Sequence, residues 1–304
     1  MIHFNLRSHF YIYIRRFIFL KPLTLTIPLA ALAAVFSQPA HAALFSYSSA
    51  GANAAAIQAT VDQFRADLGG VNNGVNAFGG VSGRREINWD GVPNGFAASN
   101  TLPANFFNQN SQRGMQLGNS PGGTGFMVSD NAAGGNGAGV RFDNLNATYS
   151  GIFQTFSAQK LFISLGSNEY DINFFVPLTG PALPGSTPAL VIGFGIVFAD
   201  VDLANTTRVQ AFDINGVQIA NLTAAAANNG LSFVGLRFDT LSIARIHVTQ
   251  GNAAVGPNDG GAVDVVAVDD FIYGEPVSAS SVPEPGSMAL AAIGAFALYL
   301  RRRR

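Results

Sequence analysis

Between residues 53 and 68 the apolar positions Ala55, Ile57, Val61, Phe64 and Leu68 recur every few residues, with Asp62, Gln63, Arg65 and Asp67 on the other faces. One such stripe predicts an amphipathic helix. Asn53 stands where a side chain can cap the first turn, and Gly69-Gly70 ends the pattern. Beyond it the periodicity changes to short apolar runs cut by Gly, Asn and Pro. Runs at 86–89, 125–129, 140–142, 160–163, 171–176, 190–199, 208–214, 217–222, 231–238, 243–249 and 263–273 predict strands, while the Gly-, Asn- and Ser-rich stretches 71–83, 108–125 and 131–139 predict loops. In 190–199, Ile192, Phe194, Ile196 and Phe198 fall on one face with Gly193 and Gly195 opposite, the period of two that a strand imposes. The runs 208–214 and 217–222 meet at Asn215-Gly216, a pair that tolerates the positive φ angles of a type I′ hairpin turn. Prolines at 177, 181, 184 and 188 make their segment an irregular connection, because proline donates no ladder hydrogen bond.

Many short strands with turn signals at roughly 8–12-residue spacing and almost no helix point to a mainly β fold: a β-sandwich or jelly roll with one N-terminal amphipathic helix. The organisation this implies is a signal peptide at 1–42, a helix and Gly/Asn-rich lead-in at 43–83, a β-sandwich domain at 84–275, a linker at 276–281 and a helical sorting segment at 282–304. The closing strand Val268-Asp269-Asp270-Phe271-Ile272-Tyr273 resembles the terminal "DD" strand of jelly-roll carbohydrate-binding modules.

Both ends of the chain have the pattern of targeting segments. Arg15, Arg16 and Lys21 precede an apolar run at 23–36, and Ala40 and Ala42 supply the small-x-small pattern of a signal-peptidase site, which makes Ala43 the first residue of the exported chain. That run of 14 residues is short of the roughly 20 that a membrane span needs. At the other end, Val282-Pro283-Glu284-Pro285-Gly286 is followed by an apolar stretch at 288–300 and by Arg301, Arg302, Arg303 and Arg304. An apolar helix held by positive charge on the cytoplasmic side behaves as a stop-transfer anchor.

This tail resembles the PEP-CTERM sorting signal of Gram-negative bacteria: Pro283, Glu284 and Pro285 occupy the motif, Gly286 follows, and Arg301 to Arg304 close it. The resemblance implies processing by an exosortase, a membrane transpeptidase-like enzyme, after transient anchoring in the inner membrane. It further implies a final place at the cell surface or outside the cell, in strains that produce exopolysaccharide.

Composition narrows the chemistry of the body. The 304-residue chain carries a formal charge of −1, but between residues 43 and 280 nine basic residues face 17 acidic ones, a charge of −8. Phosphate contact needs clustered positive charge, so a nucleic-acid partner is excluded. There is no cysteine, hence no disulfide, thiolate metal site or Cys nucleophile. His247 is the single histidine of the body and reads as a surface residue beside Arg245, so a histidine-based zinc site or a Ser-His-Asp triad has almost nothing to draw on.

Asp and Glu remain. Neighbours on a strand point to opposite faces, so one of Asp269 and Asp270 should share a face with apolar residues, and a buried carboxylate needs a partner. Calcium ligation, pairing with an arginine such as Arg141 or Arg237, and capping of backbone N–H groups are all open. Asp200 and Asp202, with Asn205 nearby, follow the most apolar strand; oxygen ligands at i and i+2 suit calcium, but the spacing lacks the glycine and distal Glu of an EF-hand loop, and a polar turn is the favoured account. Asn258-Asp259-Gly260-Gly261 reads as a turn of the same kind. Trp89, the one tryptophan, lies between Glu86 and Asp90; it either stacks on a sugar ring or anchors its strand in the core, and the two carboxylates share with a glycosidase pair only the type of residue.

The expected function is that of an exported, exosortase-sorted surface or extracellular matrix protein, non-enzymatic and polysaccharide-associated. Its expected partners are signal peptidase and exosortase during export, and exopolysaccharide afterwards. The alternatives are a secreted carbohydrate-active enzyme using Asp and Glu, and a calcium-stabilised structural adhesin.

Overall fold

In the computed structural model, residues 42–75, 82–131, 135–177, 187–281 and 294 are described. The signal-peptide run, the apolar stretch at 288–300 apart from Gly294, and the sorting residues Pro283 to Gly286 and Arg301 to Arg304 lie outside the described residues. All described residues but Gly294 belong to the compact unit Ala40–Glu284. The chain opens with β1 (Leu44–Gly51) and α1 (Ala54–Asp67), then β2 (Arg84–Ile87), the one-turn α2 (Phe106–Gln109), β3 (Met115–Asn119), β4 (Gly125–Val128) and the one-turn α3 (Tyr149–Ile152). It continues through β5 (Phe162–Leu165), β6 (Glu169–Phe174), β7 (Ala189–Leu190), β8 (Gly193–Val201), β9 (Arg208–Phe212) and β10 (Gln218–Thr223). The last strands are β11 (Ala227–Phe238), β12 (Arg245–Thr249), β13 (Ala267–Gly274) and β14 (Val277–Ser278).

Two antiparallel sheets carry the fold. The larger runs β1-β11-β8-β13-β5-β4, with β2 also paired to β13, and the smaller runs β10-β9-β12-β6-β3. One apolar core lies between them: Phe194, Ile196, Val234 and Phe271 of the larger sheet pack in the same cluster as Ile172 and Ile246 of the smaller. That is the sandwich expected from the strand-rich pattern. A second cluster covers the other face of the larger sheet, where Ile57, Val61, Phe64 and Leu68 of α1 meet Val197, Leu231 and Phe233.

The helix begins where the pattern places it, but Asn53 is extended and its side chain makes no capping hydrogen bond. Four buried apolar side chains, each worth about 1.5–3 kcal/mol relative to exposure, outweigh a missing cap of about 1 kcal/mol. Ala55, placed on the apolar stripe by its spacing, faces solvent.

Several local expectations are corrected. The described start of the 43–83 lead-in is not separate from the sandwich: β1 runs in register with β11 from Leu44↔Phe238 to Gly51↔Leu231. The stretch 108–125 contains β3, and residues 276–281 contain β14, which pairs with β7. Residues 140–142 form no strand; a single bridge joins Asp130 to Val140, after which Arg141 and Phe142 turn through positive φ. The 208–222 hairpin is closed differently from a type I′ turn. Of Asn215 and Gly216, only Gly216 has positive φ (78°); its N–H donates to the Asp213 carbonyl, and the Asp213 carboxylate accepts from the N–H groups of Asn215 and Val217. The aspartate thus shapes a three-residue loop with glycine in the left-handed position.

Among the described residues no helix is long and apolar enough to cross a membrane.

Candidate functional site

Two groups of acidic side chains, each with buried members, differ in whether a basic residue reaches them. The first is Asp269-Asp270 on β13, where the register against β8 shifts between Val268 and Phe271. Such a bulge breaks the alternation of faces. Val268 and Phe271 both enter the core between the sheets, while the two carboxylates, expected on opposite faces, converge on one hydroxyl. Ser157 Oγ donates to Asp269 Oδ1 at 2.9 Å and to Asp270 Oδ1 at 2.7 Å, and the Phe156 N–H donates to Asp269 Oδ2 at 2.6 Å. The positive partner is Arg65 of α1, with Nη2 3.3 Å from Asp270 Oδ2 and 2.9 Å from Glu86 Oε2. Neither arginine named from the sequence fills that place: Arg141 donates to the Ser150 carbonyl, and Arg237 covers the ring of Phe45. Burial pushes both carboxyl groups up, Asp269 further because Asp270 adds like charge, whereas Arg65 opposes the rise at Asp270.

The second group is assembled from two loops. Asp200 is the penultimate residue of β8, with a left-handed backbone (φ 68°), Asp202 directly follows the strand, and Asp259 comes from the loop between β12 and β13. One carboxylate oxygen from each lies within 4.8 Å of the others. Asp264, itself buried, fixes the arrangement: its carboxylate accepts from the N–H groups of Asp202 (3.1 Å) and Leu203 (3.4 Å) and from the Thr206 hydroxyl. Its backbone is tied to Asn252, whose Oδ1 accepts the Asp264 N–H at 2.9 Å.

Asp200 is 1% exposed. Its Oδ1 accepts the Asn229 N–H at 2.7 Å, but its Oδ2 has no donor, and neither has the buried Oδ1 of Asp202. Asp259 Oδ1 accepts from the Val265 N–H at 2.7 Å. Among the described residues no ion pair reaches any of the three. Burial, then the charges of Asp259 and Asp202, push the Asp200 carboxyl up to about 7 against the Asn229 N–H. Asp259 is raised by burial and by Asp202. Among the described residues, these three bring their carboxylate oxygens close enough together to share one hard cation.

The remaining candidates occupy structural positions. Trp89 is 1% exposed, stacked on Phe162 at 4.4 Å between centroids, and its indole N–H donates to the Asp269 carbonyl, so no face is left for a sugar ring. Glu86 is held by Arg65 and Arg84, and Asp90 Oδ1 accepts from the N–H groups of Gln159 and Lys160. His247 shares Asp171 with Arg245, at 2.9 and 2.7 Å. The sequence gives no sign that Arg65 serves Asp270, nor that Asp259, some 57 residues after Asp202 and read as a turn, completes a group with it.

Of the residues expected at the signal cleavage, Ala40 lies outside the described set. Ala42 packs against the core, and the Ala43 N–H donates to Asp239 Oδ1 at 3.0 Å. The sorting residues Pro283 to Gly286 and Arg301 to Arg304 lie outside it as well.

No curated protein and no solved structure matches the chain. A family model for the PEP-CTERM protein-sorting motif matches residues 281–304, and this motif indicates an exported protein, sorted by exosortase to the envelope or surface of a Gram-negative cell.

Proposed function

We propose that the sandwich is the working part of a non-enzymatic surface or matrix protein, released from both terminal segments and associated with exopolysaccharide. The observation that carries this reading is the fit between fold and processing signals. The first strand starts at Leu44, one residue past the expected new N-terminus Ala43, and a 3-10 turn over Ala279–Ser281 ends where the match to the sorting motif begins. Cleavage before Ala43 would turn its N–H into an ammonium beside the Asp239 carboxylate, an exposed pair worth at most about 1 kcal/mol, so the fold accepts the new terminus.

The non-enzymatic half draws support from Glu86 and Asp90, the pair weighed as a hydrolase site, whose carboxylates are engaged by Arg65, Arg84 and the backbone near Lys160. The acidic body repels an anionic polymer at low salt, and divalent cations are the natural bridge.

The test is to purify the processed protein from producing cells and measure its mass and its retention on the strain's own exopolysaccharide. The reading expects an N-terminus at Ala43, loss of the arginine-rich tail, and retention that chelation weakens. Absence of retention both with and without calcium removes the polysaccharide role, and glycan cleavage lost in Glu86→Gln or Asp90→Asn favours the enzyme.

A further inference from the structure

We propose that Asp200, Asp202 and Asp259 form a calcium site that clamps the loop after β8 to the loop before β13, whatever the protein's role in the matrix. Calcium takes oxygen ligands at about 2.3–2.6 Å, so two ligands of one ion lie up to roughly 5 Å apart. The three carboxylate oxygens, within 4.8 Å of one another, meet that condition.

The buried orphan atoms give the group its direction. Asp200 is 1% exposed, and among the described residues its Oδ2 has neither a donor nor an ion-pair partner, although Asn229 satisfies the other oxygen of the same carboxylate. The buried Oδ1 of Asp202 is likewise without a donor. Buried charge of one sign persists only if it is neutralised, by protons or by a cation. Asp269 and Asp270 at least have the Arg65 guanidinium beside them and the Ser157 hydroxyl between them. At the second group the described residues supply no counterpart, and its loops are fixed by another buried carboxylate, Asp264.

The donors are all oxygen, which selects a hard cation. Asp202 and Asp259 are partly exposed, which leaves room for water to complete six to eight ligands around calcium. Magnesium needs a tighter octahedral shell and gives up its own water reluctantly. An affinity of about 10⁻⁴–10⁻³ M, usual for extracellular modules, suits such a site.

The experiment is a thermal melt of the full chain in detergent with EDTA, calcium or magnesium, paired with calorimetric titration of calcium alone. The expected result is one calcium per chain and a Tm raised by roughly 5–10 °C at 100-fold excess over Kd. Asp259→Asn is expected to lose the calcium response while melting in EDTA no lower than the parent, because it relieves repulsion; a merely structural aspartate would lower the EDTA melt. Asp202→Asn serves as the second variant should the first fail to fold, and Asp62→Asn, on the exposed face of α1, keeps the parent's response. An absent calcium response, an equal response to magnesium, or a response retained in the Asp259 and Asp202 variants overturns the assignment.

Discussion

Phe64 of α1 lies so close to Gly195 of β8 that a Cβ at that glycine would stand 2.6 Å from its ring. Gly235, the cross-strand partner of Gly195, faces the same ring at 3.1 Å, and a Cβ at Gly193 would meet Leu68 at 2.8 Å. Phe64 of the helix and Leu68 just past its end are therefore seated on a patch of sheet without side chains. Adding a methyl group there overpacks a close contact, which costs about 1–3 kcal/mol. Gly195→Ala is expected to lose that amount in urea unfolding. Gly91→Ala, where an added Cβ meets nothing within 4 Å, should change stability by under about 1 kcal/mol.

This contact shows how far the sequence could be read. The alternation of Ile192, Phe194, Ile196 and Phe198 against two glycines displays a strand with one large face, because period two is a local property. That the bare face receives Phe64, 131 residues upstream of Gly195, is set by packing between distant segments. The same divide explains β1 and β3: Ser46, Ser48 and Ser49 have no apolar alternation, and β1 is held by its backbone pairing with β11. A single bulge in β13 undid the inference that Asp269 and Asp270 face opposite ways, since period two fails wherever one residue is inserted. Asp200 and Asp202 were visible as a possible cation pair from their spacing; Asp259 looked like any Asn-Asp-Gly turn until folding brought its loop alongside.

Arg85 and Glu275 form a bidentate pair, 2.8 and 2.6 Å, with both side chains wholly buried. Asn73 also donates to Glu275, and Arg85 to the Gly74 and Gln112 carbonyls. Removing one partner strands a buried charge, at a cost of about 3–5 kcal/mol. Glu275→Ala should show that loss in chemical denaturation. The double variant Arg85→Met/Glu275→Leu should recover most of it, and a double variant as unstable as the single would mean that the pair's outer hydrogen bonds dominate.

Trp89 gives the protein a built-in probe. Stacked on Phe162 and edge-on to Phe107 and Phe271, it should emit to the blue of free tryptophan, resist quenching by iodide, and shift red in a single step with unfolding. Trp89→Ala is expected to cost about 3–5 kcal/mol. Trp89→Phe, if folded, should keep any polysaccharide retention the parent has; selective loss of retention in that variant would restore the sugar-stacking role.

The Asp269-Asp270 pair also sets a pH dependence whose sign can be worked out. Facing the pair are Ser157, Arg65 from α1 and Glu86 from β2, the last also held by Arg84. Burial raises both carboxyl groups in the folded protein, most at Asp269. A raised folded value means that their contribution is complete below the ordinary aspartate value of about 3.9 and is lost as pH rises through the folded value. Asp171 acts in the opposite sense: burial pushes it up, the hydrogen bonds from His247 and Arg245 outweigh this, and its contribution is lost as pH falls through its lowered value. Asp269→Asn removes one of the two buried acids, while its amide oxygen can still accept the Phe156 N–H. Urea unfolding from pH 4 to pH 8 should therefore show a shallower fall in stability for Asp269→Asn than for the parent, with Asp200 and Asp259 contributing the same residual slope to both. Parallel slopes in the two proteins would mean that Ser157 and Arg65 already neutralise the pair.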